Sequence, residues 1–361
     1  MRILEPKPFS LIWSTVEPGT KWRSDVAYPT NAIVYFPTNT PTGATSFRAK
    51  HPTVAPSPQP LINGLSSATW EAIGPVLMWR PQDTYDIGTV VYHPVPNDNN
   101  FELLHRFESV QGSQGHAPVM NSTEYWIDLG PVNSMAMFDG RTNRRTKGGS
   151  DIQVALTASH PIRQVVVLGM QGVRNFSIQV RDIQTGGLIV NQSSGRQTTP
   201  YPIGWYSWLF AQYAERATQI VPVPPWVGGL GVEIVLAFSG SQVQVGNILT
   251  CTEHEVGRTD WGASPGYRGF STFEADEFGH VTFTPRQAQQ DTSYTVWVST
   301  HEVDRIYALC MSLDRRLAVF DGNNEYDDPF DSLIVYGKLE SFRTGLSYEE
   351  TPVDFRVLGY T

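Results

Sequence analysis

Apolar residues along this chain come in short runs, alternating with polar ones or continuous over four to eight positions. Gly, Pro, Asn and Asp interrupt them. That periodicity predicts strands at 32–35, 89–92, 101–107, 151–156, 165–168, 176–182, 231–238, 243–246, 281–285, 294–298, 317–320, 333–337 and 353–360. Gly186-Gly187 predicts a hairpin turn before Leu188, and residues 205–210, aromatic on both faces, predict a fully buried strand. The short apolar run 9–13 fits a strand or an anchoring segment, and the Pro-rich stretch 51–60 fits only a loop or extended linker. One segment has helical spacing. Val303, Ile306, Tyr307, Cys310 and Met311 form a stripe, Ser299 with Glu302 carries a capping-box signature, and Arg315-Arg316 follows.

A repeat organises the first third. Trp22-Arg23…Tyr28 leads into Ala32-Ile33-Val34-Tyr35 and closes at Trp70…Gly74-Pro75. Trp79-Arg80…Tyr85 leads into Thr89-Val90-Val91-Tyr92 and closes at Trp126…Gly130-Pro131. The Trp-to-Trp spacings are 48 and 47 residues, which indicates a duplicated small module. The expected division is an N-terminal segment with the first module (1–75), a second module (76–131), a β-sandwich (132–250) and an α+β domain (251–361).

Composition agrees with a turn-rich, mainly β protein: 361 residues include 31 Gly and 26 Pro, with 12% aromatic and 17% charged. The length suits two to four domains. A net charge of −9 disfavours a general nucleic-acid binder. No run reaches the ~20 apolar residues of a membrane span, and the first residues lack the apolar core of a signal peptide, so synthesis in a cytoplasm is expected. Cys251 and Cys310 exclude a disulfide framework and leave either one bridge or two buried thiols.

The order Trp, Tyr-x-x-Gly, Val-Val-Tyr, aromatic strand, Gly/Pro loop, Tyr-Trp-x-x-Leu-Gly resembles the small three-stranded carbohydrate modules of the chitin-binding type. Their aromatic rings stack on the C–H faces of sugars. The resemblance implies carbohydrate binding by Trp79, Tyr85, Tyr92, Tyr125 and Trp126. In the first copy it points to Trp22, Tyr28, Tyr35 and Trp70, although there Tyr28-Pro29-Thr30-Asn31 lacks the turn Gly. The passage Leu129-Gly130-Pro131…Phe138-Asp139-Gly140, with Trp205–Phe210, Pro224-Pro225, Val245-Gly246 and Val256–Gly262 in that order, resembles minor tail or tail-tip (baseplate) proteins of tailed bacteriophages. That family implies two small three-stranded modules, a jelly-roll-like, galactose-binding-like sandwich and a C-terminal α+β tail-tube-like domain with one helix. It also implies a virion location, contacts with tail-hub proteins, a three- or six-fold homo-oligomer and contact with bacterial surface polysaccharide.

Other chemistry has weaker support. The acidic run 321–328 alternates like a Ca²⁺ loop, but Ser332 stands where the closing acid belongs. His254-Glu255 lacks a second His at zinc-binding spacing. No Gly-x-Ser-x-Gly elbow occurs, and no carboxylate pair singles itself out for glycoside hydrolysis. No enzyme, metal or cofactor is therefore expected. The basic turn 141–147 fits anionic glycans or an acidic partner, and more simply a solvated face. A free-standing carbohydrate-binding protein, or the non-catalytic part of a depolymerase, is the alternative function. Buried rings would instead make the modules architectural.

Overall fold

A computed structural model describes residues 1–40, 42–96, 102–120, 122–194, 198–199, 205, 214–215, 217–224, 231–275, 277–278, 280–323 and 330–360. The fold is mainly β, with one α-helix among the described residues. Two ten-stranded sheets dominate it, and the first fourteen residues join both.

Strand Arg2–Lys7 lies between Asn247–Glu255 and Ala318–Asp321, antiparallel to each. It makes one sheet of the strands Gln219–Pro222, Gln164–Leu168 and Asn247–Glu255 on one side and the C-terminal strands on the other. Ile3 points into the C-terminal core with Tyr294, Phe320 and Phe355, whereas Leu4 packs with Val166, Leu249 and Val319. Strand alternation thus buries neighbouring residues on opposite faces. The apolar run near Trp13 is the strand Ser10–Ser14, which enters the second sheet between Asp151–Ala158 and Ile33–Pro37.

Between the sheets lies the largest core. Ile152, Val154, Phe176, Ile178, Leu236 and Phe238 of one sheet face Val165, Val167 and Ile248 of the other. The strands expected at 231–238 and 243–246 are one strand, Val232–Val245. The turn-like Ser239-Gly240-Ser241-Gln242 is absorbed as a bulge against Gln171–Asp182. There the backbones approach so closely that a Cβ on Gly240 would stand 2.0 Å from the Gly172 carbonyl oxygen. The Gly186-Gly187 hairpin forms, with Val180 opposite Val190. Trp205 is exposed; the rest of 205–210 lies outside the described residues, as does most of the acidic run 321–328.

In the C-terminal part, the helix Val303–Leu313 follows a 3-10 turn, Thr300–Glu302. Its buried stripe is Val303, Ile306, Cys310 and Leu313, so Tyr307 and Met311 lie on the exposed side of the expected face. The capping box does not form: Ser299 makes no side-chain cap, and Glu302 pairs with Arg305 at 3.0 Å. Cys251 and Cys310 are buried free thiols. A hairpin of Thr272–Ala275 and Val281–Thr284 pairs only with itself among the described strands. No helix among the described residues is long and apolar enough to cross a membrane.

Candidate functional site

The two repeated stretches place their aromatics alike. In the first, Tyr28 meets Trp70 edge to face, and the Arg23 N–H donates to the Tyr28 hydroxyl at 2.8 Å. In the second, Tyr85 meets Trp126 the same way, and the Arg80 N–H donates to Tyr85 at 2.7 Å. Each closing indole is tied to a loop carbonyl, Trp70 Nε1–H to Pro58 O (2.7 Å) and Trp126 Nε1–H to His116 O (2.8 Å). The opening indoles pack on the residue fourteen positions later: Trp22 on Phe36, Trp79 on His93. Register repeats too. Phe47 pairs with Val34 and Ala72, as Phe107 pairs with Val91 and Asp128.

This geometry corrects the expectation for several candidate residues. Trp70, Trp126, Tyr28 and Tyr85 are buried and offer no ring face to a sugar. A unit this small has little else to fill its centre, so the largest rings go inside. Burial pushes the Tyr28 hydroxyl up to about 12 and raises Tyr85 in the same direction. Trp22 and Trp79 are half-buried at the edges of these cores. Tyr125 is half-buried with one face stacked on His116 at 3.9 Å. Tyr35 and Tyr92 are half-buried against the sandwich core.

Tyr92 alone of these residues lines the open cleft of about 570 Å³ where the two repeats meet the sandwich. Its other walls carry Arg106, Asn133, Arg144, Arg145 and Lys147, with Glu17 the one acid among the described residues that line it. A bulge between Asp128 and Gly130 shapes this wall. The Asp128 carboxylate accepts from the Gly130 N–H at 2.7 Å and from His105 Nδ1 at 3.0 Å. Arg106 is the register partner of Gly130, and the Arg144 guanidinium lies over it; a Cβ there would stand 2.8 Å from Arg144 Nη1. Asn133 clamps the neighbouring backbone, accepting from the Lys147 N–H and donating to its carbonyl, both at 2.8 Å. Arg145 donates through Nη1 to Gln171 at 3.1 Å.

Arg144 sits 3.7 Å from Asp139. Burial raises the Asp139 carboxyl against the lowering effect of the Arg141 N–H and the nearby arginines. Among the described residues, no carboxylate lies within 4 Å of the charged nitrogens of Arg106, Arg145 or Lys147. In sequence the basic turn fits a solvated face most simply, and Arg106 is one polar position in the strand expected at 101–107. The available signal was a dense run of cations just after Leu-Gly-Pro in an acidic chain. Asp321, placed in the sequence in a Ca²⁺-like run, is buried, pairs with Arg2 at 2.5 Å and accepts from Asn323. Compared with known proteins, the chain matches no family model and no curated protein.

Proposed function

We propose that this chain is a structural component of a phage tail tip or baseplate, assembling with copies of itself and with other tail proteins in the virion. In this reading the repeats descend from sugar-binding modules and serve as rigid spacers. The core between the sheets belongs to a jelly-roll-like sandwich, and the helix-backed C-terminal sheet is the tail-tube-like assembly domain. Contact with host surface glycan is a second role, exerted by the outer modules.

One observation carries the proposal. The hairpin Thr272–Ala275/Val281–Thr284 stands off the C-terminal sheet with its aromatics in solvent: Phe273 is 74% exposed, Phe283 51% and Phe278 at the tip 86%. Phe273 and Phe283 are cross-strand partners, ring centroids 4.7 Å apart; Val281 on the same hairpin and Tyr267 and Phe270 just before it are exposed too. A cluster of exposed aromatics of this kind marks an interaction surface, and burying each Phe contributes about 1.5–3 kcal/mol. A closed ring of identical subunits is the economical way to cover such an arm in every copy. Electron microscopy of the purified intact chain tests this: closed three- or six-fold rings support the assembly role, and isolated particles of single-chain size refute it.

A further inference from the structure

The cleft between the repeats and the sandwich has a sign opposite to that of the molecule. The chain carries −9 overall, yet the described residues lining the cleft include Arg106, Arg144, Arg145 and Lys147 against Glu17, with Asp139 3.7 Å from Arg144 just outside the lining. Such local focusing of one charge sign concentrates ligands of the other. Arg145 is held in advance through Gln171, Arg144 lies beside Gly130 and Asp139, and the Lys147 backbone is fixed by Asn133 while its ammonium stays exposed. Arg145 Nε is buried without an acceptor among the described residues, so that guanidinium is partly desolvated already. A preorganised, partly dry guanidinium such as that of Arg145 binds oxyanions at reduced entropic and desolvation cost.

Two further features narrow the ligand. The volume of about 570 Å³ fits one or two sugar rings. The half-buried Tyr92 brings an aromatic surface to the cleft lining for sugar C–H groups, beside the Asn133 amide, which keeps one N–H and one lone pair beyond its clamp on Lys147. An oligoglutamate carries the carboxylates but no sugar C–H face, so it separates charge alone from saccharide recognition.

We propose that this cleft is a binding site for an anionic saccharide, one bearing carboxylate or phosphate groups, read by Arg106, Arg144, Arg145 and Lys147 with Tyr92 beneath the sugar ring. The inference deepens the glycan-contacting part of the proposed function and rests on that part only.

Calorimetric titration of the intact chain tests it with four probes of matched length: an oligogalacturonate, an oligo(glycerol phosphate), a neutral malto-oligosaccharide and an oligoglutamate. The site predicts binding of at least one anionic saccharide, weakening with salt, and none of the neutral one. Which of the two binds assigns carboxylate or phosphate. Arg144→Gln and Lys147→Gln should each weaken binding about tenfold or more, as loss of a charge-assisted contact does. Tyr92→Leu should weaken saccharide binding in a protein that still melts as a single cooperative transition. Silence of both anionic saccharides, indifference to the two Gln variants, or equal binding of oligoglutamate would overturn the proposal. Solution mass, followed on the same variants, reports the assembly surface, so failure of the cleft is distinct from failure of the tail-tip reading.

Discussion

Tyr85 and Trp126 meet edge to face with ring centroids 5.4 Å apart and planes at 69°, a contact that Tyr28 and Trp70 reproduce at 5.5 Å and 71°. The repeated aromatics therefore hold each unit together from inside. Trp126→Ala and Trp70→Ala should each destabilise the protein by about 3–5 kcal/mol, the usual loss for a large buried ring. Denaturant melts would show this as a lower midpoint. Unchanged stability with only a loss of sugar binding would contradict the core assignment.

The opening and closing indoles differ in one respect. Trp126 Nε1–H has the His116 carbonyl, whereas the Nε1 atoms of Trp22 and Trp79 are buried with no partner among the described residues. Trp79→Phe removes an unsatisfied donor, which offsets lost packing; Trp126→Phe leaves a carbonyl unpaired as well. Trp126→Phe should cost about 1–2 kcal/mol more than Trp79→Phe in paired thermal melts.

Gly130 sits at φ +91°, and a side chain there would strike the Arg144 guanidinium. Gly130→Ala should destabilise by about 1–2 kcal/mol through backbone strain and lower anion binding by displacing Arg144. Gly88 has a comparable φ of +81° but open space around it. Gly88→Ala should cost the strain without the binding defect, which separates the two effects.

Glu5 joins three elements. Burial alone would raise its carboxyl, but hydrogen bonds from Lys7, His254 and Arg316 outweigh that and hold it below the ordinary carboxylate range. The Arg316 contact, at 2.9 Å, ties the N-terminal strand to the segment after the helix. A carboxylate with a lowered folded-state pKa adds stability that is present above its ordinary value and lost as pH falls through the lowered one. Glu5→Gln should therefore lower the melting temperature at neutral pH. Its gap from the parent should close in acid, once both side chains are neutral; a gap constant with pH would contradict the pairing.

What the sequence made legible follows from where its information is local. Alternation at 176–182 and 353–360, the Gly186-Gly187 turn and the helical spacing from Val303 all report on nearby chain, and those elements form. The repeat was legible because the same residue types recur at the same spacing. Ring direction was not, since a Trp that stacks on sugar and a Trp that fills a small core look alike in sequence. Partners far along the chain were also hidden. Nothing in Arg2–Lys7 names Asn247–Glu255 and Ala318–Asp321 as its neighbours. The cleft shares this difficulty: Tyr92, Arg106 and Arg144 come from different elements and meet only after folding.

The exposed hairpin gives the most direct test of the assembly account. Mass photometry and sedimentation should compare the intact chain with a Phe273→Ser, Phe283→Ser double variant, with thermal melts alongside. The hairpin pairs with no other described strand and Phe273 and Phe283 are exposed, so the variant should fold and melt like the parent. A discrete oligomer is expected for the intact chain and a shift toward monomer for the variant. A monodisperse monomer for the intact chain, or an oligomer indifferent to both substitutions, would contradict it.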